Sequence, residues 1–162
     1  MRIKYLLLTC ALVMSSVAVT RAQERVVTRK FGLTASLQGG QAAVMVPLWL
    51  SDTVILAPGL AIDYVEKVRS DFGLFLAQRF YINMDRIAPY IAAQAGVGFN
   101  RPDAGTATED LTLGAGFGGE YFLNPPFSFG IEAQLNGFIV DLSGIARIAL
   151  STATANHANV YF

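Results

Sequence analysis

The sequence has few cysteines, histidines and charged residues for its length. Cys10 is the only cysteine and His157 the only histidine among 162 residues. A disulfide framework and a multi-histidine metal site are therefore excluded, and no metal or cofactor is expected. Charged residues make up 15% of the chain, against roughly 25% in soluble proteins, while 53% of its residues are hydrophobic. So little charge indicates apolar surroundings, and no basic patch suggests binding to nucleic acid.

The sequence also lacks a segment long enough for a transmembrane helix. Its longest apolar run, Tyr5 to Val19, follows Arg2 and Lys4 and is shorter than the roughly 18 residues of a spanning helix. With Thr20-Arg21-Ala22 after it, the run predicts a secretory signal peptide at residues 1–22. The mature domain would then be residues 23–162. A retained anchor and a lipoprotein site at Cys10 are the alternatives.

Removal of the signal peptide would leave the mature chain acidic and without cysteine. Arg2, Lys4 and Arg21 leave with it, so 9 basic residues remain of 12, against 12 acidic ones.

In place of helical periodicity, the mature chain alternates apolar and polar residues. In the segment from Asp110 to Phe138, the odd positions before the turn at Asn124 to Pro126 include Leu111, Leu113 and Phe117. The even positions carry glycine, threonine and glutamate. Period-two alternation is the pattern of a strand with one apolar face, and two such runs around a short turn predict a hairpin.

The same alternation recurs along the rest of the mature chain and predicts about eight strands. We therefore expect a closed antiparallel up-and-down β-barrel. Pro47, inside the run from Ala42 to Leu50, cannot donate a ladder hydrogen bond, which predicts a local distortion there. The apolar face of these strands could meet lipid or a soluble core.

Several features resemble the small eight-stranded outer-membrane barrels, such as the OmpA transmembrane domain and OmpX. They are the signal peptide, the G-x-G-x-G strand ending Glu120-Tyr121-Phe122, the Pro89-Tyr90-Ile91-Ala92 strand opening and the terminal Phe162. The resemblance implies a transmembrane barrel in the outer membrane of a Gram-negative cell, with lipid and the barrel-insertion machinery as partners. It also implies a monomer. The C-terminal residues Ala158, Val160 and Phe162 fit the signal read by that machinery.

The resemblance also implies which connections lie on which side. Ser51-Asp52, Asn83 to Arg86 and Asn124 to Pro126 become short periplasmic turns. The outer loops become residues 38–40, 65–70, 101–108 and 141–146, and of these, 101–108 and 141–146 are candidates for binding an extracellular ligand.

Alternation and this topology together predict a lumen charge cluster of Arg79, Glu120 and Glu132. All of them fall on the inner phase, in the periplasmic half of their strands. A charge in a narrow interior is costly unless paired, and one guanidinium can bridge two carboxylates by forked hydrogen bonds. We expect a structural plug here in preference to acid–base catalysis.

Two other sequence patterns give only weak support for an enzyme. His157 with Ser151 and Asp141 could suggest a lipid-modifying barrel hydrolase, but no serine stands two residues after His157. The alternate inner glycines, Gly96 to Gly130, lack the strand–turn–helix context of a dinucleotide site. They instead leave room for inner aromatic side chains, and we expect a protein that is not an enzyme.

Outer-phase aromatic residues fall near the predicted strand ends, where a membrane barrel carries interfacial girdles. These candidates are Phe72, Phe80, Phe99, Tyr121, Phe127 and Phe162.

The function expected is therefore structural or surface-interacting, with a largely plugged lumen. A soluble exported barrel holding an apolar ligand, as lipocalins do, is one alternative. A narrow channel and a lipid-modifying enzyme are the others.

Overall fold

The computed structural model describes residues 30–38, 41–65, 69–102, 106–140 and 147–162, without the side chains of 64, 65 and 69. The predicted signal peptide and the predicted loop 141–146 lie outside these ranges. Within them no helix is long and apolar enough to cross a membrane.

The described residues form antiparallel strands, as the alternation predicts. The strands are β1 (Gly32–Gln38), β2 (Gln41–Met45), β3 (Leu48–Ser51), β4 (Val54–Val65), β5 (Arg69–Tyr81), β6 (Ile87–Pro102), β7 (Thr108–Asn124), β8 (Phe127–Val140) and β9 (Arg147–Tyr161). Each strand from β4 to β9 pairs with the next, β1 pairs with both β9 and β2, and β2 and β3 both pair with β4. The sheet therefore closes into a barrel.

β2 and β3 are two halves of one wall strand, which gives the barrel eight strands and confirms the predicted fold. The break between them falls at Val46-Pro47, the distortion expected from proline. The ladder continues across it, because the Gly32 amide donates to Pro47 O over 2.8 Å and the Val46 amide donates to Pro58 O over 2.9 Å.

Two predicted connections are shorter than expected. β4 extends to Val65 and β5 begins at Arg69, so both reach into the predicted outer loop 65–70. β6 includes Arg101 and Pro102, which belong to the predicted outer loop 101–108. In both places the antiparallel pairs continue outward, Val65 with Arg69 and Arg69 with Pro102. The pairing partner, rather than local composition, sets where each strand ends.

The barrel has two distinct ends. We call the end with the short turns after β3, β5 and β7 the turn end, and the other the loop end. At the turn end the interior is filled by an aromatic floor, which consists of Trp49, Tyr81, Tyr90, Phe122 and Tyr161. Apolar side chains cover the outside of the wall.

Candidate functional site in the barrel lumen

The structure brings the predicted charge cluster together inside the barrel. Arg79 on β5, Glu120 on β7 and Glu132 on β8 are 2%, 0% and 4% exposed. Arg79 Nη1 lies 4.0 Å from Glu120 Oε2, and Arg79 Nε lies 3.6 Å from Glu132 Oε2. These are ion-pair distances, so the forked hydrogen bonds expected from the sequence are not what joins these groups. The guanidinium also lies over the ring of Tyr90, 5.1 Å from its centroid.

Hydroxyl groups surround the Glu120 carboxylate. Tyr81 Oη donates to Oε2 over 2.5 Å, Tyr161 Oη donates to Oε1 over 2.8 Å, and Ser128 Oγ also donates to Oε1. Such donors stabilise a buried carboxylate. Together with Arg79, they hold Glu120 at the top of the aromatic floor.

A polar chain continues from Ser128 to the wall. Asn159 Nδ2 donates to Ser128 Oγ over 3.0 Å, and Thr34 Oγ1 donates to Asn159 Oδ1 over 2.6 Å. Because all of these side chains are buried, the chain satisfies polar groups that water could not reach. It ties β1, β8 and β9 to the charge cluster.

Glu132 is linked to an amide layer on the loop-end side of the cluster. Gln134 Nε2 donates to Glu132 Oε1 over 2.6 Å. Gln134 Oε1 in turn accepts from Gln38 over 2.6 Å, from Gln94 over 3.1 Å and from Asn136 over 3.3 Å. The amide layer, formed by these glutamines and Asn136, therefore spans the lumen from β1 to β6 and β8.

His157 lies in the lumen, beside the charge cluster. It is 5% exposed, and its Nε2 is 3.7 Å from Glu132 Oε2. Among the described residues neither ring nitrogen has a hydrogen-bond partner. Ser36, its cross-strand neighbour, therefore does not hydrogen-bond to it, and Ser151 lies six residues along β9. No serine–histidine pair is therefore assembled within the described ranges, and Asp141 lies outside them.

The aromatic floor is closely packed. Trp49 stacks on Tyr81 with ring centroids 5.6 Å apart and meets Tyr161 edge-on at 5.5 Å, while Tyr81 and Tyr90 are 5.3 Å apart. Gly118 makes room for this packing, since a Cβ there would lie 2.6 Å from Tyr90 Oη. The sequence prediction that inner glycines accommodate inner aromatics therefore holds at this position.

The loop-end half of the lumen contains a cavity of about 370 Å³. The amide layer and the side of the charge cluster form its lower boundary, with Arg79, Glu132 and His157 among its lining residues. Asp71, Asp110 and Asn100 line its upper part, where Asn100 Nδ2 donates to Asp110 Oδ2 over 2.7 Å. Within the described part of the chain, no group of His, Cys, Asp and Glu side chains could hold a metal ion. The cavity is thus a vestibule above the charge cluster, lined by polar groups and by apolar side chains such as Met45 and Phe75.

The candidate girdle residues lie on the outer wall. Phe72 stacks on Phe99 at 6.3 Å toward the loop end, and Arg86 lies 5.2 Å from the Tyr121 ring centroid near the turn end. Phe80 and Phe127 also lie on the turn-end side, on β5 and β8. Among the predicted insertion-signal residues, Ala158 and Val160 follow the outward phase of β9. Phe162 comes directly after that strand and is 5.6 Å from Phe31.

The hydroxyl groups around Glu120 were not predicted. The alternation along β9 puts Tyr161 and Asn159 on the inward face, but their distance from Glu120 depends on how β9 aligns with β8. The pairs Ser128–Asn159 and Glu120–Gly130 fix that alignment. The run of inward polar residues on β9 is visible in the sequence, but it does not show that these residues approach Glu120.

These features define a small closed antiparallel barrel with a polar lumen and an apolar outer wall. No family model matches the sequence, and no curated protein matches it either. Among solved structures, Neisserial surface protein A is similar with a TM-score of 0.58 and 11% identity, over 82% of this chain and 93% of that one. The N-terminal β-barrel domain of Pseudomonas aeruginosa OprF is similar with a TM-score of 0.54 and 14% identity, over 80% and 94%. At these identities the likeness concerns the fold.

Proposed function

We propose that this chain is an integral outer-membrane β-barrel protein with a structural or surface-interaction role and a lumen closed at its turn end. The distribution of polarity carries the proposal. Buried Arg79 and Glu120 face inward, while large outward side chains such as Phe117 and Ile131 are 63% and 60% exposed. A polar inside and an apolar outside suit a barrel surrounded by hydrocarbon. The wall also closes on itself through ladders between neighbouring strands, and the backbone groups in those ladders are paired internally, as a bilayer requires.

The same distribution favours a membrane barrel over a soluble ligand carrier. A lipocalin-like barrel needs an apolar interior and a charged outer surface. Here amides and carboxylates share the lining of the cavity with apolar side chains such as Met45 and Phe75, and the outward phase is rich in leucine, isoleucine and phenylalanine. The name of the similar Neisserial protein, a surface protein, is consistent with a surface location.

Membrane fractionation tests this proposal. The protein should pellet with outer membranes, resist extraction by salt or alkali, and run faster on an SDS gel before boiling than after. Mass spectrometry of the membrane form should give a chain that begins at Gln23, as cleavage after Ala22 predicts. Recovery in buffer without detergent would favour the soluble alternative.

The packed turn end supports a closed lumen over a narrow channel. The aromatic floor and the charge cluster occupy the whole turn-end interior, consistent with the narrow interior of an eight-stranded barrel. Purified protein in planar bilayers should therefore show no steady ion conductance. The double variant Trp49→Ala with Tyr161→Ala, which removes part of the aromatic floor, should conduct more ions than the unaltered protein. Equal steady conductance in both proteins would contradict closure.

The surroundings of His157 support a role other than catalysis. Among the described residues its ring nitrogens have no hydrogen-bond partner, and the charged group beside it is Glu132, 3.7 Å away. Purified protein incubated with lipid A or phospholipid should release no acyl chain. Release that is lost in His157→Ala would favour the enzyme alternative.

A surface role would fall to the outer loops, and residues 101–108 and 141–146 are the candidates for an extracellular ligand. Replacing each by a short Gly-Ser linker should leave the barrel folded. Loss of adhesion of cells bearing the variant, with normal surface display, would support the interaction role. Unchanged adhesion in both variants would leave the structural role.

A further inference from the structure

The wall of the barrel is lower above the hairpin of β1 and β2 than on the side of β8 and β9. β1 pairs with β9 only as far as Gln38 with Ala155, and the chain then turns back into β2. β9 continues outward and stays paired with β8 up to the pair of Val140 with Arg147. Among the described residues, no strand pairs with the other side of this outer part of β9. We call the β1-facing side of residues 147–152 the β9 free edge.

The β9 free edge presents backbone groups at every second residue. At the turn end, the Tyr161 amide donates to Pro126 O over 2.7 Å, toward β8. The Phe162 amide donates to Phe31 O over 2.8 Å, toward β1. Backbone groups of successive strand residues point to opposite sides, and the register of β8 with β9 runs without a break, so all even-numbered residues of β9 face the β1 side. The free edge therefore presents the N–H and C=O groups of Ile148, Leu150 and Thr152.

The side chains along the β9 free edge are also uncovered. Ile148 is 82% and Leu150 74% exposed, the highest values for large apolar side chains in the part of the chain that the structure describes. Ala149 and Ser151 lie on the inward phase of β9 and are exposed as well. A partner can therefore reach both faces of the strand at this edge.

The outer end of β9 extends past the hydrocarbon layer if the barrel spans the outer membrane as proposed above, and the present inference rests on that proposed function. A tilted strand crosses a bilayer with about 9–11 residues, whereas β9 has 15. Counted from Tyr161, a span of that length ends between Ala153 and Ser151. Ile148 and Leu150 then stand outside the cell, where a protein can reach them.

The β9 free edge lacks the features that keep strand edges from pairing with other chains. Such edges usually carry prolines, bulges or several charged residues. Residues 147–154 contain no proline, their register with β8 contains no bulge, and Arg147 is their only charged residue. The edge is therefore open to a further strand.

The spacing of its backbone groups identifies the occupant as an extended polypeptide. Along a strand, donors and acceptors of alternate residues recur about every 7 Å, and another extended chain matches this repeat. Lipid head groups have no such repeat. Two copies of this chain in one membrane share one orientation, so their β9 edges cannot meet in antiparallel fashion. We propose that the β9 free edge binds an extended segment of an external protein by strand addition.

The added segment occupies the position that β1 leaves open and runs antiparallel to β9, as β1 does. Each of its residues opposite Ile148, Leu150 or Thr152 exchanges two hydrogen bonds with β9. The side chains of these partner residues point outward, beside Ile148 and Leu150. Cross-strand packing with them favours β-branched or aromatic residues in the partner.

Fluorescence anisotropy with the purified barrel in detergent tests strand addition. The probe is a labelled peptide of alternating valine and threonine that matches residues 147–154 in length, and it should bind saturably. N-methylation of its valines, which stand opposite Ile148 and Leu150, should weaken binding at least about tenfold. N-methylation of its threonines, whose amides face away from β9, should change binding less than about twofold. Absence of saturable binding, or equal weakening by both modifications, would overturn the proposal.

A variant of the protein tests the same bonds from the other side. Leu150→Pro removes one donor of the free edge and leaves the ladder with β8, which uses the odd-numbered residues, intact. Leu150→Ala keeps the donor and is the matched control. The proline variant should bind the peptide at least about fivefold more weakly than the alanine variant. Equal binding by the two folded variants would contradict the proposal.

The mobility shift between unboiled and boiled samples checks that both variants fold, and the two N-methylated peptides decide the question if the proline variant does not. Binding is measured on purified protein, so it does not depend on where the protein is located in the cell. A negative result for protein that fractionates with outer membranes would therefore count against strand addition alone. Recovery in buffer without detergent would instead contradict the proposed membrane location.

Discussion

The two halves of the lumen share one wall but are filled in different ways. In the turn-end half, aromatic rings pack beneath buried charges, and Glu120 accepts hydrogen bonds from several hydroxyl groups. In the loop-end half, amide, carboxylate and apolar side chains line a cavity of about 370 Å³. Since the strands are continuous through both halves, barrel size alone does not close the lumen. The inward residues at each level determine whether it is closed.

The halves also differ in what a lost side chain would leave behind. Removing a member of the charge cluster leaves a partner charge buried, and this is costly in a dry interior. Removing a member of the amide layer leaves a group that borders the cavity, where water can replace it. Substitutions in the turn-end half should therefore destabilise the barrel more than those in the loop-end half.

Arg79→Ala should have the largest effect. The substitution leaves Glu120 and Glu132 buried without their cation, at a cost of about 3–5 kcal/mol. Urea unfolding from lipid vesicles, followed by the fluorescence of Trp49, measures it, since Trp49 is the only tryptophan and belongs to the aromatic floor. Arg101→Ala, at an exposed position toward the loop end, is the control and should change stability by less than about 0.5 kcal/mol. Equal effects would show that the cluster is not a structural plug.

Tyr81→Phe should have the next largest effect. It removes only the hydroxyl that donates to Glu120 Oε2, and a hydrogen bond to a charged group contributes about 1.5–3 kcal/mol. Tyr121→Phe, on the outer wall, is the matched control and should be nearly neutral. The same urea titration compares the two. An equal loss of stability in both variants would point to a general effect of removing a tyrosine hydroxyl group.

The sequence predicted the wall better than the contents of the lumen. Alternation depends on neighbouring residues only, so the phase of Arg79, Glu120 and Glu132 could be read directly, and Pro47 marked the interrupted strand. The hydroxyl groups on Glu120 come from β5, β8 and β9, and their meeting depends on register across the closed sheet. A shift of one residue in any pair would turn a side chain to the other face. Strand ends at Arg101-Pro102 were missed because the partner strand, not composition, extends them.

Gly118→Ala should have an intermediate effect on stability. It tests whether tight packing distinguishes the turn-end half from the loop-end half. A Cβ at Gly118 would lie 2.6 Å from both Tyr90 and the Ile131 carbonyl oxygen, whereas at Gly98 the nearest atom is 4.0 Å away. Overpacking of this kind costs about 1–3 kcal/mol. Gly98→Ala, on the same strand face as Tyr90 but toward the loop end, should be close to neutral. A similar cost at both glycines would mean that backbone conformation, rather than packing, selects glycine here.

Gln94→Ala should have the smallest effect, because it tests the loop-end half. The amide donates to Asn136 Oδ1 over 2.7 Å and to Gln134 Oε1 over 3.1 Å, but it borders the cavity, and a net loss of about 0.5–1 kcal/mol is expected. Gln134→Ala is the matched comparison, because the Gln134 amide also donates to the buried Glu132. Gln134→Ala should therefore cost more than Gln94→Ala in the same urea titration. If the order were reversed, the main role of the amide layer would be to hold the wall strands together and not to satisfy the buried Glu132 carboxylate.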